Sequence, residues 1–526
     1  MPDKSIVLML VGHQEFMPQQ ESVCEGSRVL YERLYELLTR TYLPLLDTCR
    51  RLEHDGVPFA FSLVLSPSLC ALLEDSGVCD GYLQYLDKLV LLGESETERR
   101  TGELMQLAQM YLERLRYIRD FFAHTLNRHI LQEFKRLSDA GHIELLGTTA
   151  TPVFLPQYVD LTEAVNAQIE VGMISHRHYF GSVPSGFWLP QMGYAEGLEK
   201  NLKSFGLKYS VLDAQGLLCG EPLPKAGIFY PVQCANAFTF FAGDRTTPSV
   251  LTAKTAYHAA GTYRAESKDV SFHEQTENLA GFIPAGGMRV ASGFSYNAQK
   301  DSGTAVYDAA AAAAQVQLDA EDFVRRQSDK LSQAAVYEPD KPLSVICTCR
   351  LDFLGGSWYE GVAWLEQVYR CAAEHGVSCS TCAAVYRQSP AEQMVRPCMS
   401  AAPDTGYGEN LIHAANSWIV RYVRKASERM IDLAGRFSDS SGLKARILNL
   451  AAKEVLLAQS STWQQMLYDQ DCQETAARHT KELLNSFTTI YDSLGANSIS
   501  TEWLIRCEKQ NAIFPWINYR VFSRKR

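Results

Sequence analysis

Gly186-Phe-Trp-Leu-Pro-Gln-Met-Gly-Tyr194 is the stretch that decides the fold. Pro184 opens it, an apolar run follows, and Pro190 stops regular pairing immediately before Gln191. That pattern predicts a buried strand ending in a loop that hands over to a helix beginning near Gly193. In folds built on parallel strands, the C-terminal strand ends display the functional groups. Trp188 and Pro190 beside one polar side chain, Gln191, suit a sugar site, because pyranose rings stack on aromatic faces.

Working outward, strands are expected at 5–11, 57–65 and 143–149, separated by helical patterns over 27–53, 81–91 and 102–138. Pro44 must kink or restart the first of these helices. Ser66-Pro67 starts another, with Ser as cap and Pro in the first turn. A helix over 161–179, carrying His176 and His178 on an expected solvent face, leads into the central stretch. Downstream, 207–212 is a strand ending at Asp213, and 343–349 is a further core strand followed by a helix to 374. Strand and helix alternate, so parallel strands with helical crossovers are expected, in a barrel or a doubly wound sheet.

Residues 216–302 break the rhythm. They are rich in Gly, Ser, Thr and Ala, and read as an insertion over the strand ends, a candidate lid with one strand at 237–241. Asp308 then caps an Ala-rich helix to 335. Beyond Gln388, the prolines at 390, 397 and 403 mark a linker, and only helices follow, at 411–437, 443–467, 472–494 and 501–510. The expected organisation is an α/β domain over 1–390 and a C-terminal all-helical domain over 391–526.

Apolar content of 46% and charged content of 21% are those of a globular protein. A net charge of −10 argues against nucleic acid or an anionic membrane as partner. No apolar run approaches the length of a membrane span, and Ile6 to Val11 is too short for a signal-peptide core. The 14 cysteines without a secretory signal are expected to be reduced cytoplasmic thiols. Cys347, Cys349, Cys379 and Cys382 read as buried thiols rather than a zinc site, which needs four converging ligands.

Five motifs in order carry a resemblance to glycoside hydrolase family 57, in particular its 1,4-α-glucan branching enzymes. The central stretch resembles Trp-Leu-Pro-Glu-x-x-Tyr, with Gln191 at the Glu. His13 matches the second histidine of His-x-His, with Val11 at the first. Thr41-Tyr-Leu-Pro-Leu-Leu46 resembles Glu-Thr-Tyr-x-Pro-Leu, with Arg40 at the Glu, and Thr151-Pro-Val-Phe-Leu-Pro156 resembles Thr-His-Gly-Tyr-x-Pro, with Pro152 at the His. Arg350-Leu-Asp-Phe-Leu-Gly-Gly-Ser-Trp-Tyr-Glu-Gly361 resembles Asp-x-Glu-Leu-Phe-Gly-His-Trp-Trp-x-Glu-Gly. In the helical region, Tyr422 to Met430 and Ser460 to Gln464 also resemble family motifs.

The resemblance implies a (β/α)7 barrel with a helical domain closing one side of the cleft, a retaining mechanism, and no metal or other cofactor. It implies an α-glucan or oligosaccharide ligand held by His13, Trp188, Tyr194, Trp358, Trp418 and Trp463. Retention needs two carboxylates about 5–5.5 Å apart. Here the nucleophile position holds Gln191, and the acid/base position falls on Arg350 or Leu351 unless a gap brings in Asp352. A neutral amide is a poor nucleophile, and a guanidinium does not give up its proton near neutral pH. Three readings stand at this point. The chain is a non-catalytic glucan binder; or it is an active branching enzyme or amylase using Asp352 with Glu15, Glu196 or Asp213; or Arg350, with Arg40 or His13, holds a phosphorylated or anionic sugar.

Overall fold

The computed structural model describes residues 4–17, 25–284, 287–496 and 500–524. Its strands are β1 (Lys4–Gly12), β2 (Phe61–Leu65), β3 (Ile143–Thr148), β4 (Gly186–Trp188), β5 (Tyr209–Asp213), β6 (Val232–Gln233), β7 (Thr239–Gly243), β8 (Leu343–Arg350) and β9 (Ser378–Ser380). Seven of them pair in parallel in the order β2-β3-β4-β5-β7-β8-β1, and β1 returns to β2, which closes a barrel. The short β9 pairs with Ser5–Val7 of β1, below the level at which Met9–Gly12 meets β2. The antiparallel β6 lies outside the closed path, against β7.

The strand expected within the irregular stretch, at 237–241, falls at Thr239–Gly243 and is itself a barrel strand. Phe238, Phe240 and Phe241 are at most 2% exposed, so both faces of this strand are covered. A continuously apolar strand is the signature of a parallel sheet buried on both sides. The segment leaving the barrel over its C-terminal rim therefore lies between β7 and β8.

Side chains alternate along each strand. Val7, Met9, Val64, Leu146, Trp188, Tyr209, Val211, Phe241 and Ile346 face inward as one buried cluster, with Val11 at its edge. Cys382 and Val385, at the start of the helix Cys382–Gln388, close it from the other end. There Glu144 accepts from Ser62 Oγ at 2.7 Å, from the Ala383 amide at 2.8 Å and from the Tyr209 hydroxyl. Burial raises the Glu144 carboxyl above its ordinary value even so. Burial also pushes the Cys347 and Cys349 thiols up to about 12, which keeps both neutral.

Pro44 restarts the first helix as its chemistry requires: Glu25–Leu37 ends in a π-turn at Leu38–Tyr42, and Leu43–Asp55 follows. The helical pattern expected over 102–138 is broken at Asn127 and Arg128, both left-handed, into Glu103–Asp120 and Ile130–Asp139. His176, expected to face solvent, is 6% exposed instead, 3.1 Å from the Leu145 carbonyl and 3.0 Å from that of Ser182. It shares the sheet-facing side of Thr162–Phe180 with Ile169 and Phe180, while His178 is on the outer side against Trp516.

The C-terminal helical region comprises Ser417–Arg436, Gly442–Ala458, Ser461–Tyr468, Gln473–Ala496 and Thr501–Gln510. The single helix expected over 443–467 is interrupted because Ser460 caps a new one through the Thr462 amide. The region is stitched to the loop after β3: Thr151 Oγ1 donates to the Leu456 carbonyl at 2.9 Å, and the Ser461 amide donates to the Pro152 carbonyl at 3.0 Å. Among the described residues, no helix is long and apolar enough to cross a membrane.

Gly172 sets how closely the helix Thr162–Phe180 approaches β3. A Cβ there would lie 2.0 Å from the Thr148 carbonyl oxygen and 3.0 Å from two backbone carbons. Alanine improves helix propensity by about 1 kcal/mol, but backbone cannot give way as a side chain can. Gly172→Ala is expected to destabilise the chain by about 2–3 kcal/mol in urea denaturation; a stabilised variant would contradict this packing.

Candidate functional site

The turn after β4 is held in an unfavourable conformation. Gln191 and Met192 have φ of 55° and 52°, in the left-handed region that side-chain-bearing residues avoid. Each costs about 1–2 kcal/mol unless the surroundings impose it. The surroundings do impose it. The Met192 amide donates to the Leu189 carbonyl at 2.8 Å, and the Ala402 amide donates to the Gln191 carbonyl at 2.7 Å. Tyr194 and Ser400 exchange backbone hydrogen bonds of 2.8 and 3.3 Å. Met192 returns into the barrel cluster, so Gln191 is displayed at the rim. Its Oε1 is buried, and among the described residues it has no hydrogen-bond partner.

The end of β8 faces the same rim. Arg350 pairs with Val11 and continues the inward face of Ile346 by strand alternation. Its side chain is 71% exposed, and it grips Asp352 bidentately, Nε to Oδ1 at 3.0 Å and Nη2 to Oδ2. The position that the resemblance assigns to the nucleophile thus carries an amide; of the positions it leaves open for the acid/base, Arg350 is a cation, Leu351 is buried, and Asp352 is paired with Arg350.

His13 lies two residues beyond Val11 and joins the barrel to the helical region. Its Nδ1 is 2.9 Å from Ser66 Oγ; its Nε2 is 3.2 Å from Glu15 Oε1 and 3.3 Å from Thr462 Oγ1. Glu15, 4% exposed, also accepts from the Ser460 hydroxyl. Burial alone would raise the Glu15 carboxyl; the hydrogen bond and charge of His13, with the Ser460 and Thr462 hydroxyls, outweigh it and hold the group below 4.5. These carboxylate oxygens are committed to joining the two parts of the chain.

Arg40 is not at the rim with Arg350. It is 6% exposed and shared between Glu36 and Glu266, with Nη2 3.1 Å from the Gly356 carbonyl. Arg264, 1% exposed, meets Glu266 through Nε and Nη2 at 2.8 and 2.9 Å and lies 3.6 Å from the Tyr359 ring centroid. Burial raises Glu36 above its ordinary value, whereas in Glu266 it is outweighed by Arg264 and Arg40, which hold that carboxyl low. The cluster ties the first helix, the excursion between β7 and β8, and the loop bearing Asp352 into one unit.

The aromatic residues expected to bind ligand divide by exposure. Trp188, at 7%, tops the barrel cluster. Tyr194 is 1% exposed, and its hydroxyl donates to Glu199 at 2.9 Å. Trp358, also 1% exposed, packs on Trp364 and Tyr263; Trp463 is fully buried, its Nε1 donating to the Leu457 carbonyl at 3.1 Å. Trp418 is half-buried, under Lys481. Asp213 caps the helix Ala214–Leu218 and pairs with Arg245 at 3.1 Å, and Glu196 is exposed. Asp244, which no sequence pattern singled out, is engaged by Lys330 at 2.7 Å and Thr247 at 2.8 Å. Ser460 and Thr462 lay within a recognised motif, but nothing in the sequence pairs them with His13 and Glu15. Arg264 and Glu266 carried no signal.

Glu15→Ala strands His13 and the Ser460 hydroxyl, and is expected to cost about 2–3 kcal/mol at pH 7. Because the folded value lies below 4.5, this stabilisation is complete above that pH and is lost as pH falls through the folded value. The gap between wild type and variant in denaturant midpoints must therefore narrow on acidification; a widening gap would contradict the assignment. Arg40→Glu places a third carboxylate beside Glu36 and Glu266, and should cost about 3–5 kcal/mol by the same measurement. An unchanged midpoint would contradict the shared role of this cation.

Residues 12–397 match the family model for glycosyl hydrolase family 57, and residues 422–522 match that for the C-terminal part of 1,4-alpha-glucan branching enzymes. The 1,4-alpha-glucan branching enzyme TK1436 of Thermococcus kodakarensis is 24% identical over 484 residues, covering 85% of this chain and 68% of that protein. Its crystal structure, in complex with glucose and additives, superposes with a TM-score of 0.86 at 21% identity, over 99% of this chain and 97% of that one. The alpha-amylase AmyC of Thermotoga maritima is 27% identical with a TM-score of 0.91, each chain covered completely. With a closed seven-stranded barrel and a helical C-terminal region, the chain belongs to glycosyl hydrolase family 57.

Proposed function

We propose that this chain binds α-glucan at the barrel rim and does not cleave it. The observation that carries the reading is Gln191. A strained and clamped turn presents it, its oxygen is buried without a partner, and it occupies the position of the family nucleophile. Strain of this kind persists where a site needs a side chain in one place. An amide there can hydrogen-bond a sugar hydroxyl, but it neither attacks an anomeric carbon nor stabilises an oxocarbenium ion by charge.

The end of β8 supports the same reading. Arg350 would oppose positive charge developing on a sugar ring, and its grip on Asp352 removes the nearest carboxylate from acid/base work. Glu15 and Asp213 are likewise spent on structural partners. An anionic sugar is a poorer fit, since Arg40 is enclosed by carboxylates and Arg350 already holds one. The Thermococcus kodakarensis relative is named a 1,4-alpha-glucan branching enzyme and was solved with glucose, which supports this choice of ligand class.

Calorimetry with maltoheptaose tests this. Binding is expected, with no new reducing ends and no new branch points after prolonged incubation with amylose. Gln191→Ala is expected to weaken binding about five- to tenfold, the worth of one hydrogen bond to a ligand. Turnover of amylose by the unaltered chain, abolished in Asp352→Asn, would overturn the proposal and place acid/base chemistry at Asp352.

A further inference from the structure

The excursion between β7 and β8 encloses a second recess. A volume of about 310 Å³, open to solvent, is lined by His258, Ala265, Glu266, Ser267, Gln299, Gly303 and Ser357. That is within the range of small-ligand sites, and its lining includes none of the rim residues described above. Ser357 comes from the loop after β8, so the recess forms only where the excursion meets that loop.

Its chemistry is specific. His258 Nδ1 is 2.7 Å from the Leu251 carbonyl, which can only accept. A proton on Nδ1 leaves a lone pair on Nε2, and among the described residues no hydrogen bond to Nε2 is found. Gln299 is oriented by its Nε2, which donates to the His258 carbonyl at 2.7 Å. Ser267 and Ser357 are exposed and add two hydroxyls. Phe353, its ring centroid 5.4 Å from that of His258 and edge-on, supports the imidazole from behind. Glu266 forms part of the wall as a carboxylate fixed by Arg264 and Arg40, and the Lys268 side chain lies against Gly303, so the lining carries charges of both signs.

We infer that this recess is a second saccharide site, taking one neutral sugar unit through its hydroxyls. A polyhydroxylated ligand offers both the donor that His258 Nε2 needs and the acceptors that the serine hydroxyls need, without adding charge beside Glu266. The inference rests on the glucan reading only for the choice of a glucose-based ligand; the site does not depend on what the rim does.

The test is calorimetric titration of the full chain with maltose and, separately, with inorganic phosphate. Ser357→Trp fills the recess from an exposed position, and His258→Ala removes the acceptor. Arg350→Trp obstructs the rim in the same way and serves as the comparison. Maltose binding is expected to have a component weakened at least fivefold in both recess variants and retained in Arg350→Trp, with the melting temperature of Ser357→Trp unchanged. Maltose binding unaffected by Ser357→Trp and His258→Ala would overturn the site. Loss in Arg350→Trp alone would overturn it too, while leaving the rim proposal standing. Phosphate binding in place of maltose, sensitive to the recess variants, would overturn the ligand class.

Discussion

The dry interior of the barrel is the constraint on which the rest of the structure depends. Parallel strands closed into a ring leave no room for water among Met9, Val64, Leu146, Trp188, Phe241 and Ile346, and close packing there fixes the register of every strand. Polar chemistry at that end of the barrel is thereby confined to the last inward-facing position of each strand and the turn that follows. What a barrel of this kind does is decided by a handful of side chains on that rim. In this chain β4 delivers an amide, β8 a guanidinium and β1 a valine.

The charges near this end of the barrel are unequally buried. Arg350 grips Asp352 and lies mostly in solvent, where such a pair is worth little for stability. The costly charges are placed elsewhere. Arg40, Arg264, Glu36 and Glu266 form a buried cluster whose members are strongly interdependent, because removing one partner leaves the others desolvated and unpaired. The cluster fixes the loop after β8 from below, while His13, Glu15, Ser460 and Pro152 fix the helical region from the side. The loops and turns around the rim are thus braced by buried polar contacts on two sides.

Much of this architecture was legible in the sequence, because hydrophobic periodicity and punctuating residues report on burial and on chain reversal. Six barrel strands, the restart at Pro44, the Asp308 cap and the helical end all follow from local pattern. The seventh, Thr239–Gly243, was legible as a strand but not as a barrel strand, because its irregular flanks resembled an insertion. His176 was misjudged since helical spacing locates a face only when its neighbours are already known to be core. Trp358, Tyr194 and Trp463 illustrate the limit at the site: an aromatic side chain in a recognised motif reads identically whether it lines a cleft or fills a core. Partnerships across hundreds of residues, such as Arg40 with Glu266 or Glu15 with Ser460, have no local signature at all. Gln191 was read from residue chemistry at one position, and the strained left-handed turn that carries it had no local signature.

The central claim is that no side chain on this rim attacks an anomeric carbon. Its most direct test is the intact mass of the chain after prolonged exposure to an activated fluorinated α-glucosyl donor, a reagent that traps the covalent intermediate of retaining enzymes. An unmodified mass is expected, with Gln191→Glu as the variant in which a trapped adduct becomes chemically possible. A stoichiometric gain of one glycosyl group in the unaltered chain, mapped to Asp352 or any other carboxylate at the strand ends, would contradict the account.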